Sequence, residues 1–308
     1  MTTAKARSAE PLQELRGGAR LVVKTSSYLR PMQRVDRPLY LLHTDPALGL
    51  LLGRLSGQHH HVLPVQDWRG LRQVLRKAPP TAISIVDPYE PSGALSEELP
   101  VIFQAFPSAS IVAALPGTNE ANETIRKLLA WGIAEIIDLL RDDRPAAIGR
   151  TLRLVQSRAV HRLLRRALPH GIPSRSRGLL VVAAEIVSAG GQAPEFARAL
   201  GVDERTVPRW CARADLPPPR RLLAWLRLLI ASEILDDPGR SAESAARAAG
   251  YAAASSLKTA LRKFMSTSPS ELRERGAFKT LGSAFAQELF EIRERARAEG
   301  KPEAAWLH

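Results

Sequence analysis

Five short apolar runs, at residues 38–43, 62–65, 82–86, 109–114 and 133–137, alternate with helical patterns and then stop, so the period of the chain changes near residue 140. The segments between them, at 47–55, 68–77, 95–105 and 121–131, carry helical spacing. Runs that are apolar throughout belong to strands buried on both faces, and strands of that kind alternating with helices predict a parallel sheet covered on both sides. Ligands of such sheets sit beyond the strand carboxyl ends. After residue 145 strand patterns vanish, and helices separated by short turns continue to about residue 300. The expected fold class is an α/β domain followed by an all-α domain, and 308 residues suffice for two cores.

Charge separates the same regions. The chain carries 44 Lys and Arg against 31 Asp and Glu, a formal +13, which favours a polyanionic partner. Residues 1–37 contribute 8 basic and 3 acidic side chains, 38–143 contribute 8 and 12, and 144–178 contribute 9 arginines and no acid. Residues 179–275 add 14 and 11, and the remainder balances at 5 and 5. The excess lies outside the first compact unit, so nucleic acid is expected near the second half. Cys211 is the single cysteine, which excludes an internal disulfide and multi-thiolate metal sites and fits a reducing cytoplasm. No apolar run approaches the ~18 residues of a spanning helix, so no membrane partner is expected.

The division that follows is a disordered basic arm at 1–36, an α/β domain at 37–144, an Arg-rich linker helix and hinge at 145–175, a DNA-binding domain at 176–275 and a helical tail at 276–308. Asp143 and Pro145 suit the start of a helix running to about Leu168. Its stripe of Ile148, Leu152, Val155, Ala159 and Leu163 either closes the sheet as its last helix or pairs with a second copy as a short coiled coil. Pro169, Gly171, Pro173, Ser174 and Ser176 suit a hinge.

One pattern occurs twice in the α region. Pro194 to Leu200 form a short helix with Phe196, Ala197 and Leu200 inward, Gly201 and Val202 turn the chain, and Asp203 caps a second helix with Val207 and Trp210. About 50 residues later, Ala245, Ala246 and Ala249 line a helix, Gly250 and Tyr251 turn, and Leu257 and Leu261 bury its successor. A small residue four before the glycine lets two helices cross closely, and glycine permits a positive φ. The polar faces of the second helices present Arg205, Thr206, Arg209 and Arg213, and then Ser255, Ser256, Lys258, Thr259, Arg262 and Lys263. Such a helix fits the major groove, where Arg and Lys read guanine and Ser or Thr reach bases or phosphates.

The stretch PPPRRLLAWLRLLIASEILDDPGRSAESAARAAGYAAASSLKTALRKF, followed by STSPSELR, resembles the DNA-binding domain of the AraC/XylS family of transcription regulators, over about residues 176–275. Arg227 stands where that family's linker helix carries its arginine, and Pro269 and Arg273 match its closing proline and arginine. The resemblance implies two recognition helices presented to successive major-groove segments of double-stranded DNA. Pro208, Ser266 in place of glycine, and Thr259 where arginine is frequent depart from the pattern; base reading in the second helix then rests on Lys258, with Arg262 and Lys263 on the backbone.

The five-strand unit, with Asp87 ending the third strand and Pro91 four residues later, resembles a flavodoxin-like response-regulator receiver domain. A working receiver needs an acid pair for magnesium, a hydroxyl and a lysine beside its phosphoacceptor. Here those positions fall on His43 and Thr44 with Asp45 adjacent, on Ala114 or Leu115, and on Leu139. A pseudo-receiver serving dimerisation or signal input is expected, the alternative being a response regulator phosphorylated at Asp87. Consecutive His59, His60 and His61 cannot converge from one strand on a metal, and Cys211 reads as packing rather than as a redox sensor. No phosphate-cradling glycine loop or nucleophile elbow is present, so neither an enzyme nor a cofactor site is expected. The function expected is a cytoplasmic DNA-binding regulator acting as a homodimer, with RNA polymerase as a further partner.

Overall fold

The structure is a computed structural model that describes residues 37–56, 60–117, 122–142 and 144–299. The basic arm at 1–36, the cap at Asp143, and His59 lie outside the described residues. Five parallel strands, β1 (Pro38–Leu42), β2 (His61–Pro64), β3 (Ile83–Val86), β4 (Ser110–Leu115) and β5 (Glu135–Asp138), form one sheet in the order β2-β1-β3-β4-β5. The order reverses between β1 and β3, as in flavodoxin-like doubly wound sheets. Register follows from the pleat: Leu39 pairs with Ile83, Ile83 with Ser110 and Val112 with Glu135.

Because both faces are covered, alternate residues of each strand enter different cores. Tyr40, Val86, Ile111, Ala113 and Leu115 pack under α2 (Trp68–Leu75), α3 (Glu98–Ala105) and α4 (Asn122–Trp131). Leu39, Leu41, Ile83, Ile85, Val112 and Ala114 pack under α1 (Pro46–Ser56) and the first half of α5 (Pro145–Ala167). The second unit comprises α6 (Ser174–Ser188), α7 (Ala193–Leu200), α8 (Val207–Arg213), α9 (Pro219–Leu235), α10 (Ala242–Ala248), α11 (Ala254–Met265), α12 (Pro269–Glu274) and α13 (Ala277–Ala298). Their buried side chains form one continuous core.

α5 is not a free linker. Ile148, Leu152 and Val155 pack on the sheet, whereas Val160, Leu163, Leu164 and Ala167 pack in the core of the helical unit. At 100° per residue the second set is rotated from the first by roughly a quarter-turn. The first half of α5 thus closes the sheet as its last helix, and a coiled coil with another copy would need this same apolar surface. The expected hinge is also a packed turn: Ile172 is buried, Ser174 begins α6, and the buried Ser176 hydroxyl donates to the Ala214 carbonyl (2.7 Å). Arg166 reaches Glu233 of α9 (2.9 Å) and lies over the Phe278 ring. Burial pushes the Glu233 carboxyl above its ordinary range, although Arg162 and Arg166 act in the opposite sense.

A second seam joins the units at the amino ends of β3 and β4. There the turn between α9 and α10 meets the loops that precede those strands. Asp237 accepts from the Ser108 amide (2.9 Å) and hydroxyl, and pairs with Arg240 (3.0 Å). The Arg240 guanidinium donates to the Ala78 carbonyl (2.7 Å), and the Gly239 amide to the Ala105 carbonyl (2.8 Å). A Cβ on Gly239 would lie 2.5 Å from the Phe106 ring, so only glycine fits this approach. Asp237 and Arg240 side chains are 0% and 3% exposed. Removing one member of a buried pair leaves an uncompensated charge, so Arg240→Ala is expected to lower stability by about 3–5 kcal/mol, read by denaturant unfolding followed through the signal of the whole chain.

Candidate nucleic-acid interface

The two repeated motifs are built by the same backbone closure. α7 opens with a reciprocal capping box between Gln192 and Glu195 and buries Phe196 and Ala197. It closes at Gly201 (φ +69°), with Gly201 N–H donating to Arg198 and Val202 N–H to the Ala197 carbonyl. α10 opens at Ser241, whose hydroxyl accepts from the Ser244 amide, and buries Ala245 and Ala246. It closes at Gly250 (φ +81°), with Gly250 N–H donating to Arg247 and Tyr251 N–H to the Ala246 carbonyl. Both are Schellman closures that need a left-handed residue, and the alanine supplying the last carbonyl is also the small residue at the crossing.

α8 differs from the sequence expectation. Asp203 does not cap it: its carboxylate accepts from the Arg205 amide (2.8 Å), residues 204–206 turn, and the helix starts at Val207. Pro208 explains the delay, since in a helix begun at 203 its ring would press on the carbonyl four residues back, whereas in the first turn no donor is needed. Arg205 and Thr206 therefore precede the helix rather than lie on it. Arg205, Arg209 and Arg213 are exposed and Thr206 is half-buried. Cys211 points inward, fully buried, and burial pushes its thiol up to about 11.

α11 is longer, at twelve residues. Glu243 of α10 accepts from its first amide, Ala254 N–H (2.9 Å), while Leu257 and Leu261 face the core. Ser255, Lys258, Thr259, Arg262 and Lys263 are exposed and Ser256 is half-buried. The Thr259 hydroxyl donates back to the Ser255 carbonyl (3.0 Å). Lys258, Arg262 and Lys263 make no ion pair among the described residues. The helix stops at Ser266 with φ +52° and ψ +33°, a left-handed conformation without glycine.

α9 sets the distance between the motifs. Arg227 donates to the Gly191 carbonyl ahead of α7 (3.2 Å) and lies against Gly250 at the other turn. Arg273 donates to the Leu235 carbonyl at the end of α9 (2.8 Å) and to the Arg240 carbonyl in the turn that follows (2.7 Å). Asp236 accepts from the Ala277 and Phe278 amides (2.7 and 2.9 Å) at the start of α13. The helical tail forms α13, whose Glu288 binds Arg221 through both carboxylate oxygens (2.6 Å each) and the Trp225 indole (2.7 Å). Trp225 meets Phe264 edge-on at 4.8 Å, and Arg221 lies over the same ring, so α13 braces the end of α11. The aromatic and acidic positions of α13 were visible, but their partners lie more than 60 residues away.

With this geometry in place, the family model described as a helix-turn-helix domain matches residues 196–275. The matched span runs from within α7 to just past α12 and takes in both repeated motifs. Among curated proteins, and among solved structures, none matches the chain. Among the described residues no helix is long and apolar enough to cross a membrane.

Asp87 sits at the opposite pole of the sheet from the helix-turn-helix domain. Its carboxylate accepts from the Tyr89 amide (3.0 Å), while Asp45 accepts from the Ala47 amide at the start of α1 (2.8 Å). Leu115 is fully buried at the end of β4, and Leu139 follows β5 half-buried. Both carboxylates thus serve local turns.

Two measurements check this interface. Left-handed residues other than glycine cost roughly 1–2 kcal/mol, so Ser266→Gly is expected to stabilise the domain by about 1 kcal/mol, seen as a raised Tm. A thiol reagent at pH 8 is expected to leave Cys211 unmodified until denaturant unfolds the chain; rapid labelling of the folded protein would contradict the burial of this thiol.

Proposed function

We propose that the protein is a cytoplasmic, sequence-specific transcription regulator that places α8 and α11 in successive major-groove segments of double-stranded DNA. The observation that carries this reading is the pairing of identical turn closures, each followed by a helix with one buried apolar edge and one solvent-facing cationic edge. In this reading α11 is the principal reader: Lys258 addresses base edges with Ser255, Ser256 and Thr259 beside it, and Arg262 and Lys263 hold phosphates. α8 is only seven residues long and begins at its proline, so Arg209 and Arg213, with Arg205 and Thr206 ahead of the helix, act chiefly on the backbone.

We assign residues 176–275, wider than the matched span, to the DNA-binding domain, and residues 37–144 to a receiver-like domain that accepts a signal or a second copy of the chain. RNA polymerase is the further partner of this proposal. Phosphorylation at Asp87 gains no support from its surroundings, because the neighbouring acid is spent on capping α1 and a leucine stands at the position of the neutralising lysine.

Selection of bound duplexes from a random pool tests the reading: a preferred sequence with two elements is expected, and equal, purely ionic affinity for every duplex would overturn it. Arg262→Ala with Lys263→Ala should weaken binding to all duplexes and reduce the slope of log K against log salt by about 0.9 per phosphate lost. An unchanged slope contradicts their phosphate role.

A further inference from the structure

The sheet unit is acidic as a whole, with 8 basic and 12 acidic side chains over residues 38–143. Four of its basic residues nevertheless fall within nine positions, at Arg69, Arg72, Arg76 and Lys77, on or just after α2. Arg72 is neutralised by Glu98 (3.2 Å). Arg69, Arg76 and Lys77 are exposed and make no ion pair among the described residues, and α2 itself contains no acid. A uniform solvated surface would not concentrate cations in this way on an anionic unit.

Their position is set by the seam. The Ser244 hydroxyl, in the first turn of α10, donates to the Arg76 carbonyl, and Arg240 donates to the Ala78 carbonyl (2.7 Å). The neighbour of Ser244, Glu243, binds the first amide of α11. The cationic end of α2 therefore abuts the helix that precedes the main reader, and the Arg240–Asp237 pair holds it there. In helix-turn-helix complexes the first helix of a motif crosses the phosphate backbone, which brings anything docked on its first turn to the same strand.

We propose that Arg76 and Lys77 form a third DNA contact, made by the sheet unit to the phosphate backbone beside the segment taken by α11. The contact is electrostatic and sequence-independent, and it lengthens the footprint of the second motif. It makes the sheet unit part of the binding surface. This inference rests on the DNA-binding reading above.

The test compares the full chain with Arg76→Ala/Lys77→Ala, and with Arg126→Ala/Lys127→Ala on α4 as a control for lost surface charge, on a duplex recovered from the random-pool selection. All substituted residues are exposed, so the fold is retained. The Arg76/Lys77 variant is expected to keep its sequence preference, to lose about 0.9 in the salt slope for each phosphate released, and to lose backbone protection at a patch bordering the α11 segment in hydroxyl-radical mapping. The Arg126/Lys127 variant should show neither change. Gly239→Ala, which presses on Phe106 at the seam, should lose the same protected patch even though both cations remain. Unchanged slope and protection in the Arg76/Lys77 variant, while Arg262→Ala/Lys263→Ala still weakens binding, would overturn the inference alone. Absence of any preferred duplex for the unaltered chain would overturn the regulator reading and this contact with it.

Discussion

Burial of α9 is the constraint from which the helical unit follows. Twelve of its seventeen residues are buried, so almost its whole circumference must be covered by other helices. α6 and α13 take two flanks, α5 a third, and the paired helices of each motif take what remains. Because both motifs pack on one rigid rod, their separation is fixed by the rise of that rod, about 1.5 Å per residue. The ends are locked by reciprocal bonds: Arg273 satisfies carbonyls at and just beyond the end of α9, and Asp236, its C-cap, satisfies amides that begin α13. A reader with two probes needs such fixed spacing, since any slack between them would spread its preference over several registers.

The parts legible in the sequence were those governed by short-range periodicity. Continuous apolar runs marked the sheet, because parallel strands covered on both faces are apolar throughout. Ala197 with Gly201, and Ala246 with Gly250, marked both turns because left-handed closure is a demand made by a single residue. α8 was misplaced for a local reason: Asp203 is a good cap, but Pro208 five residues later lets the helix begin only at Val207. The stripe of α5 closes the sheet over its first half, but spacings of 4, 3, 4 and 4 look continuous and hide that the helix then turns another face to the helical unit.

The seam between the units was invisible for a different reason. Asp237 and Ser108 are 129 positions apart, and Arg240 and Ala78 are 162 apart. In the sequence LDDPGRS the acid, glycine and arginine read as an ordinary polar turn. Only the assembled fold shows that the glycine is there to admit Phe106 and that the two charges have left water. Likewise the receiver resemblance rested on framework residues, and the structure adds that the carboxylates remaining at the strand carboxyl ends are occupied with turns.

A buried ion pair is a weak source of stability, because the cost of removing two charges from water can exceed their mutual attraction. It is a strong source of definition. Burial pushes the Asp237 carboxyl above its ordinary range while the Ser108 amide and hydroxyl and the Arg240 guanidinium act in the opposite sense, and Arg240 is held in turn by the Ala78 carbonyl. An apolar seam could slide by an ångström at little cost, whereas this one loses several bonds at once. The contact between the sheet unit and the second motif is therefore directional, whereas α5 joins the two units mainly by apolar packing in both cores. That division explains how α2 can be held at a fixed place against α10 although the two units share no sheet, disulfide or metal among the described residues.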